Sequence, residues 1–241
     1  MRWLAFLLLL PTIAFAQQTV SVSVPVRGNA TVVVTLAEAP NAKATVVLFP
    51  GGNGVIAQVR RNFLLRIAPD ILAQGFSVAA VDAASDQSGV MGWAYRRSPE
   101  HAAEISAVVA MLKARSAAKI WLMGTSNGTI SAETGALALG RGGIAGVVLT
   151  SSVFPRLDFQ KAPTIDVPVL LVHNKNDTCV ASPPGSLEPF KAQLTKAPTV
   201  EAIWFTSSER QSDECGAMAP HGYLGIEKEV TARILDWIRA H

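Results

Sequence analysis

The spacing of apolar residues changes along the chain between two periods. Near the N-terminus, TVSVSVPV and ATVVVTL alternate on either side of Arg27-Gly28-Asn29, which predicts an antiparallel hairpin. After the hairpin, short apolar runs of the kind found in buried strands are followed by segments with apolar residues three and four positions apart. Because strand and helix alternate in this way, we expect a mainly parallel sheet with helices on both faces.

The predicted sheet has about eight strands, two of which form the hairpin. The other six cover residues 44–49, 76–81, 120–123, 144–149, 167–172 and 200–205. Helices are predicted over residues 56–73, 99–113, 129–139, 187–194 and 224–238. The third strand is apolar throughout, which is typical of a strand covered on both faces.

The first 16 residues have the form of a secretory signal peptide. Arg2 precedes an apolar stretch, and Ala14-Phe15-Ala16 provides small residues for cleavage before Gln17. The alternative is a membrane anchor, but the apolar span is short for a bilayer and contains Pro11. We therefore expect export to the periplasm or the extracellular space, with no stable membrane anchor after cleavage.

Composition indicates that residues 17–241 form one globular domain. Of the 241 residues, 49% are hydrophobic and only 16% are charged, which argues against disorder. The formal charge is +3, from 21 basic and 18 acidic residues, and it falls to +2 when cleavage of the leader takes away Arg2. No basic patch of the kind that binds nucleic acid is present in the sequence.

A Gly-x-Ser-x-Gly motif, centred on Ser126, lies between the predicted strand 120–123 and helix 129–139. A tight turn at this junction would lift the serine hydroxyl clear of the sheet. Gly124 and Gly128 would leave room for neighbouring backbone. In isolation such a serine could equally be a turn or cap residue, but the strand before it and the helix after it favour a nucleophile.

The strand order and the position of this motif resemble the α/β-hydrolase superfamily over essentially the whole chain after the leader. The resemblance implies a triad in the chain order serine, acid, histidine. Asp177, after the next-to-last strand, takes the acid position, although an Asx turn would also explain it. Asp158 and Asp82 follow other strands and are weaker candidates, better explained as cap or turn residues.

The same resemblance selects one histidine out of four. His221 lies between the last strand and the last helix, where the superfamily places its base. His101 lies on a helix before the serine, His173 precedes the acid, and His241 is the terminal residue. A solvent-exposed loop histidine is the alternative explanation of His221.

The loop 50–54 matches the oxyanion loop of the superfamily in position. Pro50 replaces the histidine that many members carry before the glycine. By this resemblance the backbone N–H groups of Gly52 and Asn127 would bind the oxyanion. Asn53 is the alternative to Gly52.

The two cysteines, Cys179 and Cys215, are expected to form a disulfide, because a cysteine pair in an exported chain is more often bridged than free. Cys179 follows the presumed acid by two residues, and Cys215 precedes the presumed base by six. No histidine lies at metal-ligand spacing from them, so no metal site is predicted.

The sequence therefore favours an exported serine hydrolase that cleaves an acyl ester of a small molecule or an acylated substrate without a metal or organic cofactor. A thioesterase, acyltransferase or peptidase would use the same triad, and a noncatalytic binding module on the same fold is a further alternative. The oligomeric state is left open.

Five apolar or aromatic residues are candidates to line an acyl pocket, namely Met91, Trp93, Tyr95, Phe154 and Phe159. The alternative explanation is that they are ordinary core and surface residues. The chain between the sixth and seventh strands is too short for a large cap domain.

Overall fold

Eight strands form one sheet in the computed structural model, which describes residues 19–89 and 91–241. The strands are β1 (Thr19–Arg27), β2 (Ala30–Ala37), β3 (Ala44–Phe49), β4 (Ser77–Val81), β5 (Lys119–Thr125), β6 (Gly146–Thr150), β7 (Val169–Asn174) and β8 (Val200–Phe205). Their order in the sheet is β1-β2-β4-β3-β5-β6-β7-β8. The pairs β1–β2 and β2–β4 are antiparallel, and the other pairs are parallel. The predicted fold class is confirmed.

Burial along the strands follows the apolar pattern of the sequence. Every residue of β3 is buried, because helices cover both faces of the sheet there, whereas burial in β2 varies from residue to residue. Pro25 lies in β1, an edge strand, where its missing N–H costs no ladder hydrogen bond. The register shifts between Pro25 and Arg27 as the chain enters the turn.

Six helices cover the sheet: α1 (Phe63–Ala73), α2 (Trp93–Arg96), α3 (Pro99–Arg115), α4 (Gly128–Gly143), α5 (Leu187–Lys191) and α6 (Glu227–Ala240). Buried side chains of α1 and α6 pack on one face, in a cluster with residues such as Trp121. Those of α3, α4 and α5 pack on the other face. Ser98 caps the N-terminus of α3, since its Oγ accepts a hydrogen bond from the His101 N–H (3.2 Å).

Several helix boundaries differ from the prediction, and at two of them the structure shows the cause. The helix expected from residue 56 begins at Phe63, because residues 55–62 form turns and the Ile56 N–H is bonded to Asp82 Oδ1 (2.9 Å). The last helix begins at Glu227 and not at residue 224, because Tyr223 and Gly225 have positive φ values of 57° and 83°. The helix expected to end at residue 194 ends at Lys191.

The predicted leader, residues 1–16, lies outside the described residues. Within residues 19–89 and 91–241, no helix has both the length and the apolar character needed to cross a bilayer.

Candidate active site

Ser126 occupies a tight turn between β5 and α4. Its φ of 52° lies in the left-handed region, which is uncommon for a residue with a side chain and is strained. The Ser126 N–H donates to Thr150 O (3.1 Å), which ties the turn to β6. A Cβ at Gly124 would collide with the backbone of Gly128, and a Cβ at Gly128 would collide with the carbonyl of Phe49. The glycines of the motif therefore allow the close backbone approach that holds the serine in this turn.

Asp177 and His221 are in direct contact. Asp177 Oδ2 lies 2.8 Å from His221 Nδ1, and both side chains are buried. Asp177 Oδ1 accepts a hydrogen bond from the Cys179 N–H (2.9 Å), which fixes the carboxylate. Such a contact orients an imidazole and selects the tautomer with its proton on Nδ1. The ring nitrogen that remains, Nε2, is then free to accept a proton.

The two weaker acid candidates have other partners. Asp82 Oδ1 accepts from the N–H groups of Ile56 and Ala83 (both 2.9 Å), and Asp158 pairs with Arg97 (2.8 Å). Asp158 Oδ1 also accepts from the N–H groups of Gln160 and Lys161, so both acids bond nearby backbone, which fits the cap or turn role expected for them, and Asp158 forms an ion pair in addition.

The loop that carries His221 is held by residues that sequence reasoning missed. Ser151 Oγ donates to the His221 carbonyl (2.7 Å), and the Tyr223 hydroxyl accepts from the Ser151 N–H (3.0 Å). On the other side, Arg66 Nη2 donates to the Gly222 carbonyl (2.6 Å). These contacts join residues up to 156 positions apart, so no local sequence pattern could have indicated them.

A second histidine, His173, lies beside the same carboxylate. Its Nε2 is 3.1 Å from Ser182 O and 3.5 Å from Asp177 Oδ2. Burial is the main cause that lowers the pKa of His173 to about 4, so this ring is neutral at neutral pH. His173 therefore adds a dipole and no charge beside Asp177.

Ser126 and His221 line the same cavity, which has a volume of about 530 Å³. The Nε2 atom of His221 is buried and makes no hydrogen bond to any residue in the described ranges. Hydrogen bonds between a nucleophile and its base are often long in an unliganded site and tighten in the substrate complex. Two further segments complete the wall of the cavity, namely residues 57–63 before and at the start of α1, and residues 215–218 before the histidine.

The predicted oxyanion donors lie beside the serine. In the part of the chain that the structure describes, the N–H groups of Gly52, Asn53 and Asn127 have no hydrogen-bond acceptor. Of the two alternatives in the loop, only Gly52 lines the cavity. The Gly52 carbonyl accepts from Asn127 Nδ2 (3.1 Å), so the two predicted donors belong to residues that contact each other. Their role as donors stays a prediction.

The oxyanion loop also rests on a buried arginine that the sequence did not reveal. Arg96 is 0% exposed, and its Nη2 lies 3.3 Å from Pro50 O and 3.4 Å from Gly52 O. Its Nη1 donates to Ser131 Oγ (2.7 Å). Burial lowers the pKa of Arg96 to about 9, which leaves the guanidinium charged at neutral pH. The carbonyls on both sides of the Gly51–Gly52 peptide are thus held by one cation.

The aromatic and methionine candidates for an acyl pocket do not line this cavity. Phe154 and Phe159 pack against Phe190, with ring centroids 5.8 Å and 5.2 Å away. Of the other three, Met91 is buried with its Cε beside Gly54, Tyr95 bonds Arg27 and Glu104, and Trp93 is exposed. Their alternative explanation, as ordinary core and surface residues, describes them better.

Cys179 and Cys215 form a disulfide, and Cys215 lines the cavity. The sulfur of Cys179 lies near Asp177 and His221, with one possible ligand atom of each residue within 4.8 Å of the others. A sulfur in a disulfide cannot act as the thiolate ligand that a metal such as zinc requires. The disulfide instead joins the loop that carries Asp177 to the loop that carries His221.

We expect removal of this disulfide to lower thermal stability and activity together. With a sequence separation of 36, the bond closes a ring of 37 residues when both cysteines are counted. The chain-entropy estimate for such a ring is about 4 kcal/mol, which corresponds to a fall in Tm of roughly 10 °C for a domain of this size. The measurement is Tm and kcat/KM of a Cys179→Ala, Cys215→Ala double variant.

Treatment of both proteins with a reductant is the matched control for the comparison of the wild-type protein with the double cysteine variant. It should lower the Tm of the wild-type protein and leave the double variant unchanged. Two reactive thiols in the unfolded, unreduced wild-type protein would show that the bond does not form.

Comparison with known proteins identifies the fold. Neither a protein-family model nor a curated protein sequence matches this chain. Among solved structures, an esterase of Pyrococcus furiosus is similar with a TM-score of 0.71 and 15% identity, over 93% of each chain. A dienelactone hydrolase from Anabaena variabilis has a TM-score of 0.70 and 15% identity, over 94% of this chain and 99% of its own.

A serine hydrolase without a lid from Xanthomonas campestris has a TM-score of 0.62 and 14% identity, over 91% of this chain and 96% of its own. The likeness to each of these structures covers nearly the whole chain in both directions, and the strand order and the position of the serine turn agree with the expected architecture. The protein therefore has the α/β-hydrolase fold.

Proposed function

We propose that the protein is an exported serine hydrolase that cleaves carboxylic esters through an acyl-enzyme intermediate. The observation that carries this proposal is the 2.8 Å contact between His221 Nδ1 and Asp177 Oδ2, with His221 and the strained Ser126 in one cavity. A buried carboxylate, an imidazole and a hydroxyl in this arrangement are the parts that nucleophilic acyl transfer needs.

In the proposed mechanism, Ser126 Oγ attacks the ester carbonyl while His221 Nε2 takes its proton. Asp177 stabilises the imidazolium that forms. The backbone N–H groups of Gly52 and Asn127 donate to the oxyanion. The protonated His221 then gives its proton to the leaving alkoxide, and a water molecule, deprotonated by His221, hydrolyses the acyl-serine. These steps need only groups of this chain and water.

An ester is favoured over an amide or thioester because structural neighbours are described as an esterase and a dienelactone hydrolase. Thioesterase, acyltransferase and peptidase activities use the same groups and are the second choice. Export is proposed from the leader pattern and from the disulfide. The intact mass of the exported protein tests cleavage after Ala16.

The test of the function combines covalent labelling with a substrate panel. A fluorophosphonate probe should label the wild-type protein at Ser126, as read by peptide mass spectrometry. Acyl esters of graded chain length should be hydrolysed faster than the matching amides and thioesters. No labelling would contradict a nucleophilic serine and favour the noncatalytic alternative. Labelling with faster turnover of thioesters or amides would move the assignment to a thioesterase or a peptidase.

A further inference from the structure

The wall of the proposed active-site cavity carries positive charge. Of the described residues that line it, Arg60 and Arg61 are the ones with a permanent charge, and no aspartate or glutamate of the described ranges lines it. The remaining polar groups are neutral, apart from the titratable His221. A ligand that enters the cavity therefore meets two cations and no fixed anion.

Both arginines are free to bind a ligand. Their side chains are exposed, and neither guanidinium makes a hydrogen bond or ion pair with the residues that the structure describes. The backbone carbonyl of Arg61 accepts a hydrogen bond from Arg66 Nη1, which leaves the Arg61 side chain free. Arg66, on the first turns of α1, behaves differently, because its guanidinium is bonded to Glu227 (2.9 Å) and to the backbone of Gly222. The guanidinium of Arg66 therefore supports the fold, whereas those of Arg60 and Arg61 contact no partner among the described residues.

The acids nearest in sequence to the cavity wall do not offset this charge through contacts with the two arginines. Asp213 follows the lining residue Ser212, is exposed, and has its Oδ1 near Gly216, with no bond to Arg60 or Arg61. Glu214, next to the lining residue Cys215, faces Arg210 at 3.7 Å. The first turn of α1, which begins at the lining residue Phe63, contains no acidic residue. Its helix dipole adds to the positive potential there.

We propose that the cavity accepts esters that carry a carboxylate, which Arg60 and Arg61 bind while the ester carbonyl lies at Ser126. This inference rests on the proposed function and names its substrate class. A guanidinium presents its N–H donors in a planar fork that matches a carboxylate, so adjacent arginines give both affinity and orientation. Because the two side chains are exposed, solvent weakens the contact of each arginine with the substrate carboxylate. We therefore attribute the preference for a charged ester to the two arginines acting together.

The experiment compares two esters of equal acyl length, mono-p-nitrophenyl glutarate and p-nitrophenyl valerate. We expect the wild-type protein to prefer the glutarate ester in kcat/KM by roughly tenfold or more, chiefly through KM. In an Arg60→Gln, Arg61→Gln variant this preference should fall to within about twofold. Added NaCl should reduce the wild-type preference and leave the variant as it was.

Arg233→Gln provides the matched control, because Arg233 is an exposed arginine of α6 that does not line the cavity. It should keep the full preference. A carboxylate on the alcohol side is tested with 4-carboxyphenyl valerate against phenyl valerate, and a preference there that requires both arginines also supports the proposal. Equal kcat/KM for the charged and neutral esters of both pairs would overturn it, and so would a preference that survives in the double variant.

A binding measurement separates this proposal from the proposed function. Calorimetry with a Ser126→Ala protein and monomethyl glutarate needs no turnover. Binding that disappears when Arg60→Gln and Arg61→Gln are added supports the anion site, even if the wild-type protein hydrolyses no ester. Absence of binding, or binding that does not depend on the two arginines, refutes the anion site and leaves the catalytic assignment to the labelling experiment.

Discussion

Replacing Ser126 with alanine is expected to lower kcat for ester hydrolysis by roughly 10⁶-fold, because the attacking oxygen is lost. The fold should survive, since alanine removes one atom, Oγ, that makes no hydrogen bond to the described residues. The measurement is kcat with the best ester of the panel, together with circular dichroism and Tm. Fluorophosphonate labelling should disappear at the same time.

Ser106→Ala is the control for this variant. Ser106 lies on α3, and its hydroxyl donates to Ala102 O within the helix. Its activity should stay within a few-fold of wild type. Turnover in the Ser126→Ala protein at the rate of the Ser106→Ala protein would place the nucleophile elsewhere.

Replacing Asp177 with asparagine is expected to lower kcat by roughly 10⁴-fold with little change in the structure. An asparagine can turn its NH₂ group towards His221 Nδ1, which favours the tautomer with the proton on Nε2. That ring could not accept the proton of Ser126. His173 offers no rescue, because burial keeps it neutral and it carries no negative charge in any state. The measurement is kcat with the best ester of the panel, together with Tm to show that the fold is kept.

Asp158→Asn is the matched control, because Asp158 was a competing candidate and pairs with Arg97 instead of a histidine. We expect it to change stability slightly and kcat by only a few-fold. If Asp158→Asn and not Asp177→Asn removed activity, the acid would have been assigned to the wrong strand end.

The sequence predicts the parts of this protein that depend on local pattern. Continuous apolar runs correspond to buried strands such as β3, and the glycines around Ser126 indicate a tight turn that the structure contains. Helix boundaries were less accurate where a distant contact decides the conformation. The apolar periodicity from Val59 to Ile71 suggested a helix that starts at residue 56, but the bond from Ile56 to Asp82 holds residues 55–62 in turns.

The cavity itself could not be predicted, because its wall comes from segments far apart in the chain. Arg60 and Arg61 read as part of a helix in the sequence and lie in turns beside Ser126 in the structure. Arg96 lies in a segment for which no strand or helix is predicted, and in the structure it is fully buried against the loop 50–54. Both placements depend on which loop packs against which, and hydrophobic spacing carries no information about that choice.

The disulfide has a consequence for how the protein tolerates local opening and cleavage. The ring that it closes contains α5 and β8, and among the strands of the described residues β8 lies at the edge of the sheet and pairs with β7 alone. Edge elements open at a lower free-energy cost than the core. When β8 detaches, the loops of Asp177 and His221 remain joined at Cys179 and Cys215. A protease cut inside the ring, for instance beside the exposed Val180, would leave the chain in one covalent piece.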